Sequence, residues 1–263
     1  MAQAQKDFSP IMSEPPDHLA FDGLWSLFLD VDGTLLDIAA TPEAVVVPAE
    51  LPGVLVRLGD ALGGALALVS GRPIGELDRL FAPMILPAAG EHGAEFRRAA
   101  GEPVEAATPP ASLAPLRRRL AMAVEAVAGA RLEVKRTGLV VHYRQAPGAG
   151  RRLRRLVDEA VADHGAEVVV QPGKMVVEIR RAAVSKGRAV ATFMRRAPFA
   201  QRQPLFVGDD AADREAFAAA RAAGGAGAAV GPEHADAADW TFESPAAVRA
   251  WLARLAERRE EEP

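Results

Sequence analysis

The 263 residues of the chain include no cysteine and few aromatic residues: one tyrosine, three tryptophans and ten phenylalanines. The lack of cysteine excludes a disulfide framework, a thiolate zinc site and a cysteine nucleophile. No apolar stretch reaches the roughly 18 residues that a membrane-spanning helix requires. The first twenty residues carry acidic residues and prolines where a signal peptide has an apolar core. We therefore expect a cytoplasmic globular protein with no membrane partner.

Basic residues are concentrated in one part of the chain, although the net charge is −4. Residues 108–180 contain 13 Lys/Arg and 7 Asp/Glu, a local charge of +6, and the remaining residues carry −10. A basic module facing an acidic one would attract an anionic substrate. Most of the arginines in residues 108–180 are explained equally well as solvated side chains on helix surfaces, and we favour that interpretation. An acidic chain with so few aromatic residues is not expected to bind nucleic acid.

Short apolar stretches alternate with helical patterns at both ends of the chain, in residues 24–107 and 181–263. This alternation is typical of a parallel sheet, so the predicted fold class is α/β with a Rossmann-like core. Residues 1–23 are expected to form a flexible tail. The predicted strands are 25–30, 65–69, 84–86, 204–207 and 228–230, and the predicted helices are 49–62, 74–81, 186–196, 213–222 and 245–257.

The segment 108–180 between these halves has a different pattern, which occurs twice. A helix with an apolar stripe is followed by a hairpin, and the strands after the two turns align: Leu-Val-Val-His-Tyr-Arg at 139–144 and Met-Val-Val-Glu-Ile-Arg at 175–180. We therefore predict an inserted α+β cap domain, made of a duplicated α-β-β unit. Strand alternation gives its sheet one polar face, which is either solvated or closes over the site. That face is expected to carry Lys135, His142, Arg144, Glu178 and Arg180.

The segment Leu27–Leu35 ends an apolar run with Asp30, Asp32 and Gly33. In a strand, both aspartates point to the same side at its carboxyl end, where open α/β sheets bind ligands. Two such carboxylates can hold a divalent cation, or divide the duties of nucleophile and acid/base. The alternative is a hairpin, because Asp-Gly after an apolar run is a common hairpin turn.

Three further polar motifs lie where a predicted strand ends or a helix begins. They are Ser70-Gly71-Arg72, Lys186, and Asp209-Asp210 with Asp213. Each alone has a structural alternative: a turn, a solvated lysine and a helix N-cap. A parallel sheet would bring the motifs to one edge together with Asp30 and Asp32, which favours a shared site.

The chemistry that this set favours is phosphoryl transfer. Attack by a carboxylate on a phosphate ester brings two anions together, so the site must neutralise charge. Asp30 and Asp209 would hold Mg²⁺, and Lys186 would add a fixed positive charge. Ser70 would hold phosphoryl oxygens. Asp30 is the candidate nucleophile and Asp32 the candidate general acid/base.

These motifs resemble those of the haloacid dehalogenase-like phosphatases over nearly the whole chain. Asp30–Thr34 matches D-x-D-G-T, Ser70–Arg72 matches S-G-R, Ser185–Gly187 contains the lysine motif, and Gly208–Asp213 matches the acidic motif. The insertion resembles a type IIB cap. Residues 90–95 (Gly-Glu-His-Gly-Ala-Glu) and the two cap hairpins are most similar to the trehalose-6-phosphate phosphatases. Ala212 departs from that pattern, in which threonine is frequent.

The resemblance implies site residues as well as a fold. Metal ligands would be Asp30, the backbone carbonyl of Asp32, and Asp209, supported by Asp210 and Asp213. Residues that bind the substrate would be Gly71, Arg72, Glu91, His92, Lys135, His142, Arg144, Glu178 and Arg180.

The function implied is Mg²⁺-dependent hydrolysis of trehalose 6-phosphate by a monomer. The alternatives are a related phosphatase for sucrose 6-phosphate or mannosyl-3-phosphoglycerate, and a phospho-acceptor scaffold without turnover. Asp32 argues against the scaffold, because a stable aspartyl-phosphate needs no acid/base partner.

Overall fold

The computed structural model describes residues 14–15, 24–39, 41, 44–164, 167–173 and 175–261. Of the expected tail at 1–23, only Glu14 and Pro15 are described, and the rest lies outside the described residues. The chain divides into two compact units, residues 1–67 with 190–263, and residues 68–189.

Helices and strands alternate along the described chain, as the mixed α/β prediction requires. The helices are α1 (Leu51–Ala61), α2 (Ile74–Leu80), α3 (Leu113–Glu125), α4 (Gly150–Val161), α5 (Lys186–Phe193), α6 (Asp213–Ala222) and α7 (Pro245–Glu261). The strands are β1 (Trp25–Leu29), β2 (Leu66–Val69), β3 (Ala88–Gly90), β4 (Glu95–Arg97), β5 (Glu105–Ala106), β6 (Arg131–Val134), β7 (Gly138–His142), β8 (Val168–Gly173), β9 (Val176–Arg181), β10 (Gln203–Gly208), β11 (Ala226–Val230) and β12 (Trp240–Phe242).

The first unit is built on parallel strands in the order β12-β11-β10-β1. The Leu27 N–H donates to the carbonyl of Ala65, just before β2, at 2.9 Å. Leu29 of β1 is in register with Val207 of β10. The residues that follow these strands therefore lie side by side at one edge of the sheet.

The helices of the first unit bury regular apolar stripes against this sheet. Leu51, Leu55 and Leu58 of α1 are buried, as are Trp251 and Leu255 of α7. Spacings of three and four residues place such side chains on one face of a helix. The core also contains a ring cluster of Phe28, Phe193 and Phe199, with centroids 4.9 to 5.7 Å apart.

The second unit begins with the end of β2, which pairs in parallel with β3, and β4 and β5 continue antiparallel. The strand predicted at 84–86 is wrong, because the strand is Ala88–Gly90. A Cβ at Gly90 would lie 2.7 Å from the backbone nitrogen of Ile74. The strand therefore forms where side chains are small enough for that approach, and not at the more apolar residues before Pro87.

The duplicated α-β-β unit is confirmed inside the second unit. Its four strands form an antiparallel sheet in the order β6-β7-β9-β8. The buried cluster includes Leu116 and Leu120 of α3, Val157 of α4, and Val177 and Ile179 of β9. Because Val177 and Ile179 face the helices, Glu178 lies on the opposite face of the sheet, as strand alternation predicted.

The arginines of α3 and α4 solvate the outer faces of these helices. Arg117, Arg118, Arg119, Arg151, Arg152 and Arg155 are exposed, and the half-exposed Arg154 pairs with Asp158 at 3.1 Å. This arrangement agrees with the solvation that we favoured from the sequence. In the described part of the chain, no helix has the length and apolar character needed to cross a membrane.

The two ends of the duplicated segment lie together. Arg181 donates from Nη1 to the carbonyl of Thr108 at 3.2 Å. The Glu167 carboxylate accepts the N–H groups of Ala111 and Ser112, at 3.1 and 3.3 Å, where α3 begins. The second half of the segment therefore caps the first helix of the first half.

Candidate active site

Asp30 and Asp32 lie just beyond the carboxyl end of β1. The Asp30 N–H donates to the carbonyl of Val207 at 3.0 Å, which extends the β1–β10 ladder by one residue. Asp30 is 4% exposed and Asp32 is half-buried. The hairpin alternative is wrong, because β1 pairs in parallel with β10 and the loop after it makes only an isolated parallel β-bridge, between Asp32 and Leu36. Within that loop, the Gly33 N–H donates to the carbonyl of Leu36 at 2.7 Å.

Asp209 and Asp213 join Asp30 in a cluster of carboxylates. One carboxylate oxygen from each of the three residues lies within 4.8 Å of the others. Asp213, at the start of α6, is fully buried. The hydroxyl of Thr34 donates to Oδ1 of Asp209 at 3.2 Å and fixes its orientation. Oxygen donors of this kind suit Mg²⁺, so the residues present fit that ion.

Two glycines allow the carboxylates to come this close. A Cβ at Gly33 would lie 2.2 Å from Oδ2 of Asp209, and a Cβ at Gly208 would lie 2.3 Å from Cγ of Asp213. Gly33 also has a φ of +83°, in the left-handed region that favours glycine. A side chain at either position would therefore force the facing carboxylate to move.

Asp210 has a different role from Asp209 and Asp213. Its Oδ1 accepts the N–H groups of Ala212 and Asp213, at 2.9 and 3.1 Å, and its own N–H donates to Oδ2 of Asp213 at 2.8 Å. This reciprocal pair satisfies N–H groups at the start of α6. Ala212 occupies the N-cap position of α6, and Asp210 supplies the carboxylate that satisfies the N–H groups there, whereas Asp209 and Asp213 belong to the cluster.

The Ser70-Gly71-Arg72 motif lies in the second unit, directly after β2. Ser70 is buried, and its hydroxyl accepts the N–H of Arg72 at 3.2 Å. Its carbonyl accepts the N–H of His92 at 2.9 Å. A Cβ at Gly71 would lie 2.9 Å from the His92 ring, so the ring packs directly on the backbone of the motif.

Lys186 begins α5 in the second unit and is 1% exposed. Ser185 precedes it and accepts the N–H of Arg188 on its hydroxyl at 3.2 Å, which caps the helix. A solvated lysine is therefore excluded. Burial of an ammonium group is costly unless polar partners compensate for it, so a lysine held in this position is a candidate for a functional role.

Glu178 is the centre of a buried polar cluster that also contains His92, Lys135 and Arg180. Its Oε1 lies 3.3 Å from Nε2 of His92 and 3.7 Å from Nζ of Lys135. Burial alone would raise the pKa of Glu178, but the charges of His92, Lys135 and Arg180 outweigh it and hold the pKa well below its usual range. Lys135 also donates to the carbonyl of Gly71 at 3.1 Å.

The turn at Glu91 and His92 contacts the hairpin formed by β6 and β7. Both residues have positive φ, +44° and +59°, a conformation that costs about 1–3 kcal/mol per residue and is concentrated at functional sites. The Glu91 carboxylate accepts the backbone N–H of Arg136 at 2.9 and 3.1 Å. Burial raises the pKa of Glu91, although that N–H opposes the shift.

The other predicted substrate-binding residues have partners or positions different from those of the Glu178 cluster. His142 shares a 2.6 Å hydrogen bond with Glu133, which lowers the pKa of Glu133. Arg180 is buried and donates to Gln171 at 3.0 Å and to the carbonyl of Val184. Arg144 was expected on the strand face beside His142, but β7 ends at His142 and Arg144 lies in an exposed turn. Arg72 lies 3.5 Å from Glu76.

Sequence reasoning missed several side chains that support the site. Glu95 accepts the N–H of Ile74 at 2.8 Å and lies 3.5 Å from Arg136. Glu133 holds His142, and Thr34 holds Asp209. Of these residues, Thr34 is the one that the sequence could most easily have indicated, because it already belongs to the D-x-D-G-T motif.

The fold places the chain in a structural class. A mostly parallel sheet with an inserted α+β segment is also the fold of a haloacid dehalogenase-like hydrolase from Bacteroides thetaiotaomicron, with a TM-score of 0.66 at 16% identity over 89% of this chain and 99% of that one. The C-terminal domain of trehalose-6-phosphate phosphatase from C. albicans shares this fold with a TM-score of 0.80 at 21% identity. The match covers 94% of this chain and 99% of that one.

Sequence comparison narrows the class to a family. The family model for trehalose-phosphatase matches residues 28–244. A probable trehalose-phosphate phosphatase of Sinorhizobium fredii is 43% identical over 88% of both chains. The trehalose-6-phosphate phosphatase of Escherichia coli K12 is 39% identical over 87% of this chain and 85% of that protein. The chain belongs to the trehalose-phosphatase family and is a phosphoric monoester hydrolase.

Proposed function

We propose that the enzyme hydrolyses trehalose 6-phosphate to trehalose and phosphate, with Mg²⁺ and through an aspartyl-phosphate on Asp30. The cluster of Asp30, Asp209 and Asp213 is the observation that carries this proposal. These residues would hold the ion, together with the backbone carbonyl of Asp32. When bound, the ion would offset the negative charge of the substrate phosphate and of the carboxylates.

The reaction then has two displacements. A carboxylate oxygen of Asp30 attacks phosphorus, the bond from phosphorus to the sugar oxygen breaks, and Asp32 donates a proton to that oxygen. Water next attacks the aspartyl-phosphate while Asp32 takes its proton, which releases phosphate and restores Asp30. The tight anchoring of Asp30 beside Val207 suits a nucleophile, and the half-buried position of Asp32 suits a group that exchanges protons.

Roles for Ser70 and Lys186 rest on the motif match and on their burial. We assign Ser70, Gly71 and Arg72 to the phosphate group, and Lys186 to the negative charge that develops on it. The buried ammonium of Lys186 is the strongest support for its role.

The Glu178 cluster is the proposed sugar site, and residues 108–180 are the proposed cap. Sugar hydroxyls both donate and accept hydrogen bonds, and the cluster offers a carboxylate, an ammonium group and an imidazole within one buried region. Among the described residues, Nδ1 of His92 is buried and has no hydrogen-bond partner, which leaves it for a hydroxyl of the substrate. Glu91, His142, Arg144 and Arg180 are proposed to act around this cluster.

The test is phosphate release from a panel of trehalose 6-phosphate, sucrose 6-phosphate, mannosyl-3-phosphoglycerate and glucose 6-phosphate, with Mg²⁺ and with EDTA. We expect release from trehalose 6-phosphate that depends on Mg²⁺. Turnover of another sugar phosphate without any release from trehalose 6-phosphate would reject the substrate and leave the phosphatase chemistry intact.

Variants test the two aspartates. Asp30→Ala should abolish turnover, and Asp32→Asn should slow it by about 10²–10⁴-fold, the usual contribution of a general acid/base. Asp60→Asn, at an exposed position of α1, is the matched control and should retain wild-type activity. Near-wild-type turnover of Asp32→Asn would remove Asp32 from its role, and a phospho-acceptor scaffold would show phosphorylated Asp30 without multiple turnovers.

A further inference from the structure

The loop that follows Asp30 depends on a side chain more than 200 residues away in the sequence. Val31 accepts the N–H groups of both Leu35 and Leu36 at 2.9 Å, which closes the loop into a tight turn. Leu35 is fully buried, and its carbonyl accepts a hydrogen bond from Nη1 of Arg249 at 2.9 Å. Nη2 of Arg249 lies 3.3 Å from Oδ2 of Asp37, at the end of the same loop. One guanidinium group therefore holds the loop at two points.

Arg249 is presented by a firmly packed helix. Its neighbours Val248, Trp251 and Leu252 on α7 are buried, and the Trp251 ring lies 5.4 Å from the ring of Phe242. The Arg249 side chain is itself only 20% exposed. A planar guanidinium on such a helix can orient two acceptors at once, which a lysine ammonium does less well.

The two catalytic aspartates differ in how they are held. Asp30 is anchored by the β1–β10 ladder through the carbonyl of Val207. Asp32 instead belongs to the loop, where its backbone forms an isolated parallel β-bridge with Leu36. A movement of the Leu35 carbonyl is therefore transmitted to Asp32 through the next residue, while Asp30 keeps its sheet contact.

We propose that Arg249 is a positioning residue for Asp32: it fixes the loop that carries the acid/base carboxylate. This inference rests on the proposed role of Asp32 as the group that protonates the leaving oxygen. Loss of Arg249 should then impair protonation of the leaving group more than attack on phosphorus. Substrates that need no proton on leaving should be affected least.

The test compares substrates with poor and good leaving groups. The quantity compared is kcat/KM, which reports formation of the aspartyl-phosphate and not the later attack of water, a step that all substrates share. For Arg249→Ala we expect kcat/KM to fall at least about 10-fold on the sugar phosphate, a part of the 10²–10⁴-fold that a general acid contributes. On p-nitrophenyl phosphate or acetyl phosphate we expect kcat/KM to fall less than about 2-fold, because these leaving groups depart without a proton. KM for the sugar phosphate should rise by no more than about 2-fold, since the sugar site is untouched. Arg249→Lys, which keeps a donor for Leu35, should recover part of the loss.

Arg254→Ala is the matched control, because Arg254 lies on the same helix, is exposed and pairs with Glu14 at 2.6 Å. It should leave both activities unchanged. An equal fall in kcat/KM on both classes of substrate, or a rise in KM alone, would overturn the positioning role. If Arg249→Ala does not fold, as judged by its thermal unfolding, the comparison is made with Arg249→Lys and Arg249→Gln.

Hydrogen exchange separates this inference from the proposed function. The amides of Leu35 and Leu36 should exchange at least about 10-fold faster in Arg249→Ala than in Arg254→Ala, because an anchored loop opens less often. Unchanged exchange would overturn the anchoring whether or not the enzyme is active. An inactive wild-type enzyme would reject the proposed function, and the exchange experiment would then decide the anchoring by itself.

Discussion

Replacing Gly33 by alanine tests whether backbone proximity organises the carboxylate cluster. The residue has a φ of +83°, which costs a residue with a Cβ about 1–2 kcal/mol. The new Cβ would lie 2.2 Å from Oδ2 and 2.4 Å from Cγ of Asp209, although real Cβ contacts are essentially never shorter than 3.0 Å. The Asp209 carboxylate must therefore retreat by about 1 Å, a misplacement that costs a catalytic site about 10²-fold.

Gly224→Ala is the matched control for the backbone part of this cost. Gly224 has a φ of +81°, and among the described residues no atom beyond its two chain neighbours lies within 4 Å of the position of its Cβ. Both variants should lose about 1–2 kcal/mol of the free energy of unfolding, measured in urea. Only Gly33→Ala should also lose about 10²-fold in kcat for phosphate release. Equal activity of the two variants would refute the reasoning, because the clash with Asp209 would then have no consequence.

Three further outcomes follow from the same geometry. Glu178→Gln should make the free energy of unfolding less dependent on pH under acidic conditions. The lowered pKa of Glu178 stabilises the fold above its unfolded pKa of about 4.3, and this stabilisation is lost as the pH falls towards the folded pKa. Urea midpoints between about pH 5 and pH 3 should thus fall more steeply for wild type, and for the exposed control Glu125→Gln, than for Glu178→Gln. Gly208→Ala should weaken Mg²⁺ binding at least about 10-fold in a titration of activity, since its Cβ would displace Asp213, and an unchanged Mg²⁺ requirement would contradict this. EDTA should abolish phosphate release and added Mg²⁺ should restore it, whereas activity that persists after chelation would exclude the metal role.

The sequence was most informative where function depends on local geometry. Strand alternation and parallel order predicted that Asp30 and Asp209 would meet, because each lies one residue beyond its strand. Alternation also placed Glu178 on the face of the four-stranded sheet opposite the helices. Such relations need only the period of a strand and the direction of a sheet.

The remaining features depend on packing between distant segments. The strand predicted at 84–86 follows local hydrophobicity, but the close approach of Gly90 to Ile74 decides where β3 forms. Asp213 lies in the cluster because Asp210 turns the chain at the start of α6. The contact between Arg249 and Leu35 joins residues 214 positions apart, and no local pattern indicates it.

The hydrogen bond between Arg181 and Thr108 joins the two ends of the duplicated segment, which bears on how such enzymes diversify. A segment whose two ends lie together can be inserted into another chain, or removed from it, without rerouting the polypeptide. The segment between these residues has its own sheet and its own buried cluster. It can therefore be exchanged as a module. If it forms the sugar site as we propose, a new sugar specificity would be acquired by transplanting one continuous stretch of sequence, with Asp30 and Asp32 unchanged.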